Sequence, residues 1–299
     1  MAVTIKRARA SLDPDNAVRI GRVKTFLEAL EKLPTTDENV YFFRGHDNHS
    51  YEIKPRVYRD AGWIANEDVL FKELMLRCPN EFANSPSTFQ MLVRMQHYSL
   101  PTRLLDLTTN PLVALYFACG SGRNPMESGE VVVFSVPKRL IKYFDSDTVS
   151  VISNISRRPA GFVDSEMFLL DSKKFNKLTE IELLLHEIRT EKSYFIGRIK
   201  PEHLQSVLFV KPMLDNARVI RQDGAFLLFG ITGTKANYAV VPESYMPVTH
   251  IGRLIVNRLE KDSLRKQLAT LGITQGTIFP EIDRVAEYIT ETYRTKSET

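Results

Sequence analysis

Apolar positions recur along this chain in two rhythms, one helical and one β-like. Between Asn16 and Leu33 the residues Val18, Ile20, Val23, Phe26, Leu27, Leu30 and Leu33 fall at helical spacing, which predicts a helix closed by Leu33-Pro34. VYFFRG at 40–45 is a β-favouring block and predicts a strand whose end delivers Arg44, with Gly45 after it. Helical spacing returns at 65–82, through Val69, Leu70, Leu74 and Phe82, and at 87–99, where Leu100-Pro101 stops it. LLDLTTNPLVALYFACG at 104–120 predicts a strand, a short turn and a helix, with Asn110 as N-cap and Pro111 as first helical residue. EVVVFSV at 130–136 predicts a strand and 176–191 a helix. Further strands are expected at 194–199, 206–210, 218–221 and 225–229, with Gln222-Asp223-Gly224 as a tight hairpin between the last two. The final third reads as strand THIGRLIV, helix KDSLRKQLATLG and helix EIDRVAEYITETYR.

These elements do not alternate regularly as β-α units. They predict an α+β fold with a mixed, mostly antiparallel central sheet flanked by N-terminal and C-terminal helices. Residues 1–16 read as a flexible basic leader and 17–299 as one domain, since no repeat or Pro/Gly/Ser linker divides them. At 299 residues and 43% hydrophobic content a sizeable core is available, and a 25% charged share argues against disorder. MAVTIKRARASLDPDN has no apolar run to act as a secretory signal, and no stretch of about 18 apolar residues predicts a membrane span. Cys78 and Cys119 make no disulfide framework, so a reducing cytoplasm is expected. Two histidines, His46 and His49, lack a third ligand in sequence, so no metal is expected. The net charge of +4 permits a nucleic-acid or phosphate-rich partner without requiring one.

Within this frame a few side chains can carry chemistry. On a strand at 104–108, Leu104, Asp106 and Thr108 share one face. Asp106 either lines a cleft or pairs with Arg103. Thr108 and Thr109 precede a helix start, which favours anions when its N–H groups are not consumed by an ordinary cap. Arg44 offers a planar fork for phosphate or carboxylate, or a structural ion pair, and Gly45 permits a turn or close approach to a ligand. His97 is a candidate proton shuttle near neutral pH, or a satisfied structural group. Asp223 reads as turn chemistry.

FFRGH at 42–46, MQHYSLPTRLLDLTTNPLVALYFA at 95–118, RVIRQDGAFLLF at 218–229 and GITQGTIFPEIDRVAEYI at 272–289 together resemble the FRG family, named for its Phe-Arg-Gly motif. The chain departs from that pattern at Ser99, where glycine is usual, at Leu107, where tryptophan is usual, and at His46, where glutamine is common. The resemblance implies a prophage or anti-phage defence setting. A fainter resemblance is to ADP-ribosyltransferases, in which an arginine on a first strand and Ser/Thr on a second precede a helix of Ala-x-x-Phe-Ala character. Phe43-Arg44-Gly45 is similar to the first element, and Thr108-Thr109 with Ala114, Phe117 and Ala118 to the second. Gln222 stands nearest in order to the catalytic glutamate of that family.

What the resemblance implies is an ADP-ribosyltransferase-like effector, a toxin that uses NAD as substrate on a protein or nucleic-acid acceptor and is restrained by an antitoxin partner. Asp106, Gln222 and His97 would be catalytic. Arg44, Gly45, Thr108, Thr109 and Arg103 would hold the dinucleotide. The competing expectation is a non-enzymatic sensing or nucleic-acid-binding module, motivated by Arg157, Arg158, Arg218 and Arg221.

Overall fold

The computed structural model describes residues 17–120, 126–246 and 253–293; the leader at 1–16 lies outside them. One sheet of eight strands organises the chain, in the spatial order β1-β10-β4-β2-β3-β7-β6-β5. Its strands are β1 (Ala17–Ile20), β2 (Asn39–His46), β3 (Leu104–Thr108), β4 (Gly129–Pro137), β5 (Lys142–Tyr143), β6 (Val207–Lys211), β7 (Gly224–Phe229) and β10 (Arg253–Val256). A separate hairpin joins β8 (Ile231–Thr232) to β9 (Thr234–Tyr238). Only β1 with β10 and β5 with β6 run parallel, so the sheet is mixed and mostly antiparallel.

The helices are α1 (Val23–Leu30), α2 (Ala61–Ala65), α3 (Glu67–Arg77), α4 (Pro79–Phe82), α5 (Thr88–His97), α6 (Pro111–Cys119), α7 (Asp147–Asn154), α8 (Ser172–Phe175), α9 (Thr179–Glu191), α10 (Pro201–Leu204), α11 (Ala217–Arg221), α12 (Lys261–Thr270), α13 (Gln275–Ile278) and α14 (Ile282–Thr292). They form two packs on one face of the sheet. Residues of α5, α7 and α9 bury Leu104, Leu208, Phe226 and Leu228. Residues of α1, α6 and α12 bury Phe43, Val131, Val133 and Leu254. The divide between the packs passes over β3, at Asp106 and Thr108. Phe42, Leu105, Leu107, Val132, Phe134 and Phe209 form a third cluster on the opposite face.

Four expectations need correction. The run 16–33 is not one helix: Ala17–Ile20 form β1 beside β10, and only Val23–Leu30 are helical. Val18 and Ile20 fit either period, and the distant strand decides between them. The run 65–82 is divided after Arg77, where Pro79 opens a new helix. Residues 194–199 find no partner strand; Phe195 and Ile199 are buried as anchors among the helices while Tyr194 and Ile196 are exposed. Residues 218–221 are not a strand but lie in α11, started by Asn216, whose side chain accepts from Arg218 N and Val219 N. The Gln222-Asp223-Gly224 turn therefore joins a helix to β7, with Asp223 at φ 45. Of the THIGRLIV run, Arg253–Val256 form β10 and 249–252 lie outside the described residues.

Gly45 has a packing role. A Cβ there would stand 2.0 Å from the Ala114 carbonyl oxygen and 2.6 Å from Ala118 N, both in α6. The small side chains Ala114 and Ala118 and the bare Gly45 let α6 lie directly on β2. Packing of α6 alone therefore accounts for a glycine at this position.

Candidate functional site

Strand β2 pairs with β4 along its whole length, from Asn39↔Pro137 to His46↔Glu130. With β3 it shares only the pair Phe43↔Thr108. Beyond that pair the two strands part, and the Arg44 side chain reaches into the opening. Arg44 Nη1 donates to the Asp106 carbonyl oxygen at 2.6 Å, and Arg44 Nε donates to His46 Nε2 at 2.8 Å. His46, 3% exposed, must then keep its ring proton on Nδ1. Strand alternation sets Arg44 on the face opposite to the Asp106 and Thr108 side chains. The meeting occurs through the gap between strands, at main-chain Asp106.

The Asp106 carboxylate projects toward the end of α5. Gln96 Nε2 donates to Asp106 Oδ2 at 3.0 Å, and Gln96 Oε1 accepts from Thr102 Oγ1 at 2.7 Å. Thr102 Oγ1 accepts in turn from Leu104 N at 3.1 Å, so a relay of hydrogen bonds fixes which end of the Gln96 amide faces the acid. The ion pair considered for Asp106 with Arg103 does not form. Arg103, fully buried, donates from Nε to Glu67 Oε1 at 2.9 Å and from Nη1 to the Phe229 carbonyl at 3.0 Å. Lys235 Nζ stands 3.1 Å from Glu67 Oε2, completing a closed triad. Burial would raise the Glu67 pKa, but Arg103 and then Lys235 outweigh it and hold the carboxyl below its usual range. Arg103 is thereby removed from dinucleotide binding, because its charge is spent in the interior.

His97 follows Gln96 and packs against Phe226, with ring centroids 6.5 Å apart. Burial and then Arg218 push its pKa down to about 4, against the opposing pull of Asp106, Glu281 and Asp215. It is neutral at pH 7, so a proton shuttle near neutrality is corrected. Its buried Nδ1 has no hydrogen-bond partner among the described residues.

Thr108 and Gln222 are tied into the framework. Thr108 Oγ1 donates to the Gln222 carbonyl at 2.6 Å and accepts from Asn110 N at 2.9 Å. Gln222 Nε2 donates to the Ile278 carbonyl at 3.3 Å. Exposed Thr109 donates from its backbone N–H to the Asp223 carbonyl at 3.0 Å. The Asn110 side chain accepts from Leu112 N and Val113 N, so the start of α6 carries the ordinary cap.

The structure thus places the Asp106 carboxylate with Gln96 and near His97 on one face of the sheet, joins Arg44 on the other face to main-chain Asp106, ties Thr108 and Gln222 to each other and to Ile278, leaves Thr109 exposed, and holds Arg103 in a buried ion pair. Sequence reasoning missed Gln96 as the residue that orients Asp106. It also missed Arg218 and Glu281, whose charges both bear on His97 and which lie 3.4 Å apart. Gln96 sat inside the Gln-His-Tyr block and was legible from it; nothing local in sequence links Glu281 to Asp106. A shallow hollow between the start of α5 and residues 212–216, lined by Phe89, Gln90 and Met213, contains none of these groups. Among the described residues no group of three His, Cys, Asp or Glu is placed to hold a metal ion. No described helix is long and apolar enough to cross a membrane.

Fold and site define an α+β protein whose central sheet carries an oriented arginine on one face and an oriented carboxylate on the other, where β2 and β3 part. Residues 39–127, from β2 past α6, match the family model of the FRG domain. Arg44, His46, Gln96, His97 and Asp106 all lie within that segment. No curated protein and no solved structure matches the chain.

Proposed function

We propose that the opening between β2 and β3 binds NAD and that the protein transfers ADP-ribose from it to a protein or nucleic-acid acceptor. One observation carries this reading. Where the strands part, a half-buried guanidinium on one face of the sheet and a carboxylate on the other meet through main-chain Asp106, each oriented by hydrogen bonds of its own. Orientation in advance is what an electrostatic site requires, because the protein then need not reorganise as charge develops.

In the reaction the bond between ribose C1 and the nicotinamide nitrogen breaks, and its electron pair leaves with neutral nicotinamide. The ribose passes through a cation-like state of the kind met in glycoside hydrolysis. Asp106 supplies the negative charge beside it, and Arg44 holds the dinucleotide by its phosphates. An acceptor oxygen or nitrogen then bonds to C1 and releases a proton. Gln222 has no negative charge and its amide is committed to Ile278, so Asp106 takes the part of the missing glutamate.

The FRG resemblance adds a setting, a toxin of anti-phage defence acting in the cytoplasm and held by an antitoxin. The reading as a nucleic-acid-binding module has less support. Arg157 and Arg158 both face Glu187, at 2.7 and 3.8 Å, and Arg218 faces Glu281, leaving Arg221 as the exposed remainder.

The test is incubation with labelled NAD and whole-cell lysate, following nicotinamide release and label transfer. Asp106→Asn keeps the shape and removes the charge, and is expected to lower turnover on the order of 100-fold. Turnover by Asp106→Asn equal to that of the parent protein would contradict the assignment.

A further inference from the structure

A short 3-10 helix at Arg56–Arg59 stands beside the opening. Its inner residues Val57 and Tyr58 are buried, packed with Ile64, Trp63 and Tyr238. Val57 N donates to the Thr102 carbonyl at 3.2 Å, which ties the turn to the segment leading into β3. With three residues per turn, positions i and i+3 of such a helix eclipse. Arg56 and Arg59 therefore project on the same outward side, and both are exposed.

Two like charges held together are unfavourable unless something offsets them. Elsewhere in the chain Arg77, Arg103, Arg157, Arg218 and Arg253 each meet a carboxylate. Among the described residues, Arg56 and Arg59 form no ion pair within that reach. Their side chains are steered by main-chain oxygens instead: Arg56 Nη1 donates to the Ser99 carbonyl at 2.8 Å, and Arg59 Nη2 to the Lys54 carbonyl at 3.2 Å. A carbonyl fixes the direction of a guanidinium without cancelling its charge. The carboxylate next in sequence, Asp60, accepts from Gly62 N and Trp63 N as the cap of α2. Arg56 also lies over the Trp63 ring, 5.6 Å from its centroid.

The turn joins the Asp106 network through Thr102, whose carbonyl accepts from Val57 N and whose hydroxyl donates to the Gln96 amide that orients Asp106. Although Arg59 is exposed at the surface, partial desolvation by its neighbours, then Arg56, lowers its pKa, and the groups pulling the other way are Tyr51, Asp106 and Asp47.

We propose that Arg56 and Arg59 form a seat for two linked phosphates at the rim of the Arg44–Asp106 opening. Eclipsed, carbonyl-steered guanidinium groups present paired N–H donors to adjacent phosphate oxygens. The inference deepens the reading under Proposed function, on which its assignment to the pyrophosphate of a dinucleotide rests.

Inorganic pyrophosphate is the probe, titrated by calorimetry into the full chain and into Arg56→Gln/Arg59→Gln, with NAD titrated in parallel. The parent protein is expected to bind pyrophosphate at one site, more weakly as salt rises, and the double variant about tenfold more weakly. Arg221→Gln, an exposed arginine elsewhere, leaves binding unchanged. Because Arg56 also holds the Ser99 carbonyl, Arg59→Gln alone serves as the variant that spares this contact, and it too weakens binding. Pyrophosphate binding that is absent, or equal in parent and variants, overturns the seat. NAD binding unaffected by the double variant overturns its assignment to the dinucleotide. Weakened pyrophosphate binding in a protein that releases no nicotinamide supports the seat and sinks the transferase reading alone.

Discussion

Ser99 has φ 65, a left-handed backbone conformation that costs an ordinary residue energy and glycine almost none. It ends the α5 turn at the position where FRG sequences usually carry glycine, so that departure from the family pattern has a local cost. Ser99→Gly should raise stability by about 1 kcal/mol, measured by urea unfolding. Unchanged or lowered stability would show that the strain is relieved otherwise. His97 gives a second residue-scale prediction, with a definite sign. Its folded pKa, about 4, lies below the ordinary 6.5, so the unfolded chain binds the proton more readily. Its contribution is complete above pH 6.5 and is lost as pH falls from there toward 4. The parent protein should therefore lose stability relative to His97→Gln across that window, by on the order of 1–3 kcal/mol. Parallel pH profiles would refute the burial argument. Individual side chains were legible in the sequence wherever a motif named them, as with Arg44 and Asp106. Their partners were not, because the Asp106 carbonyl reaches Arg44 only through a gap between strands.

At the scale of elements, the strands at β2, β3, β4 and β7 and the helices α5, α6, α9, α12 and α14 could be read from apolar period and caps. The misreadings share one cause. Short runs such as AVRI in β1 or RVIR in α11 fit both periods, and a distant strand or a single cap decides. The contact between α6 and β2 was hidden because Gly45 looked like a ligand residue. Gly45→Ala would push a methyl group into the Ala114 carbonyl and should cost about 1–3 kcal/mol in urea unfolding. Loss of less than a few tenths would show that the helix lifts without penalty.

Across the whole molecule, a buried charge network joins parts far apart in sequence: Glu67 of α3, Arg103 before β3 and Lys235 of β9. Removing one partner leaves the others uncompensated in the interior, so Glu67→Gln should cost about 3–5 kcal/mol. The mostly antiparallel sheet was legible as a class, but its strand order was not, since β1 beside β10 and β2 between β4 and β3 are set by long-range pairing. That order makes the opening: β2 is fully paired on one side and almost unpaired on the other. The account stands on NAD entering there. Calorimetric titration of NAD into the parent protein and Arg44→Ala tests it most directly, with a folded variant confirmed by its melting curve. Binding by the parent protein that Arg44→Ala weakens at least about tenfold is the predicted result. No binding by the parent protein, or equal binding by both, would contradict it.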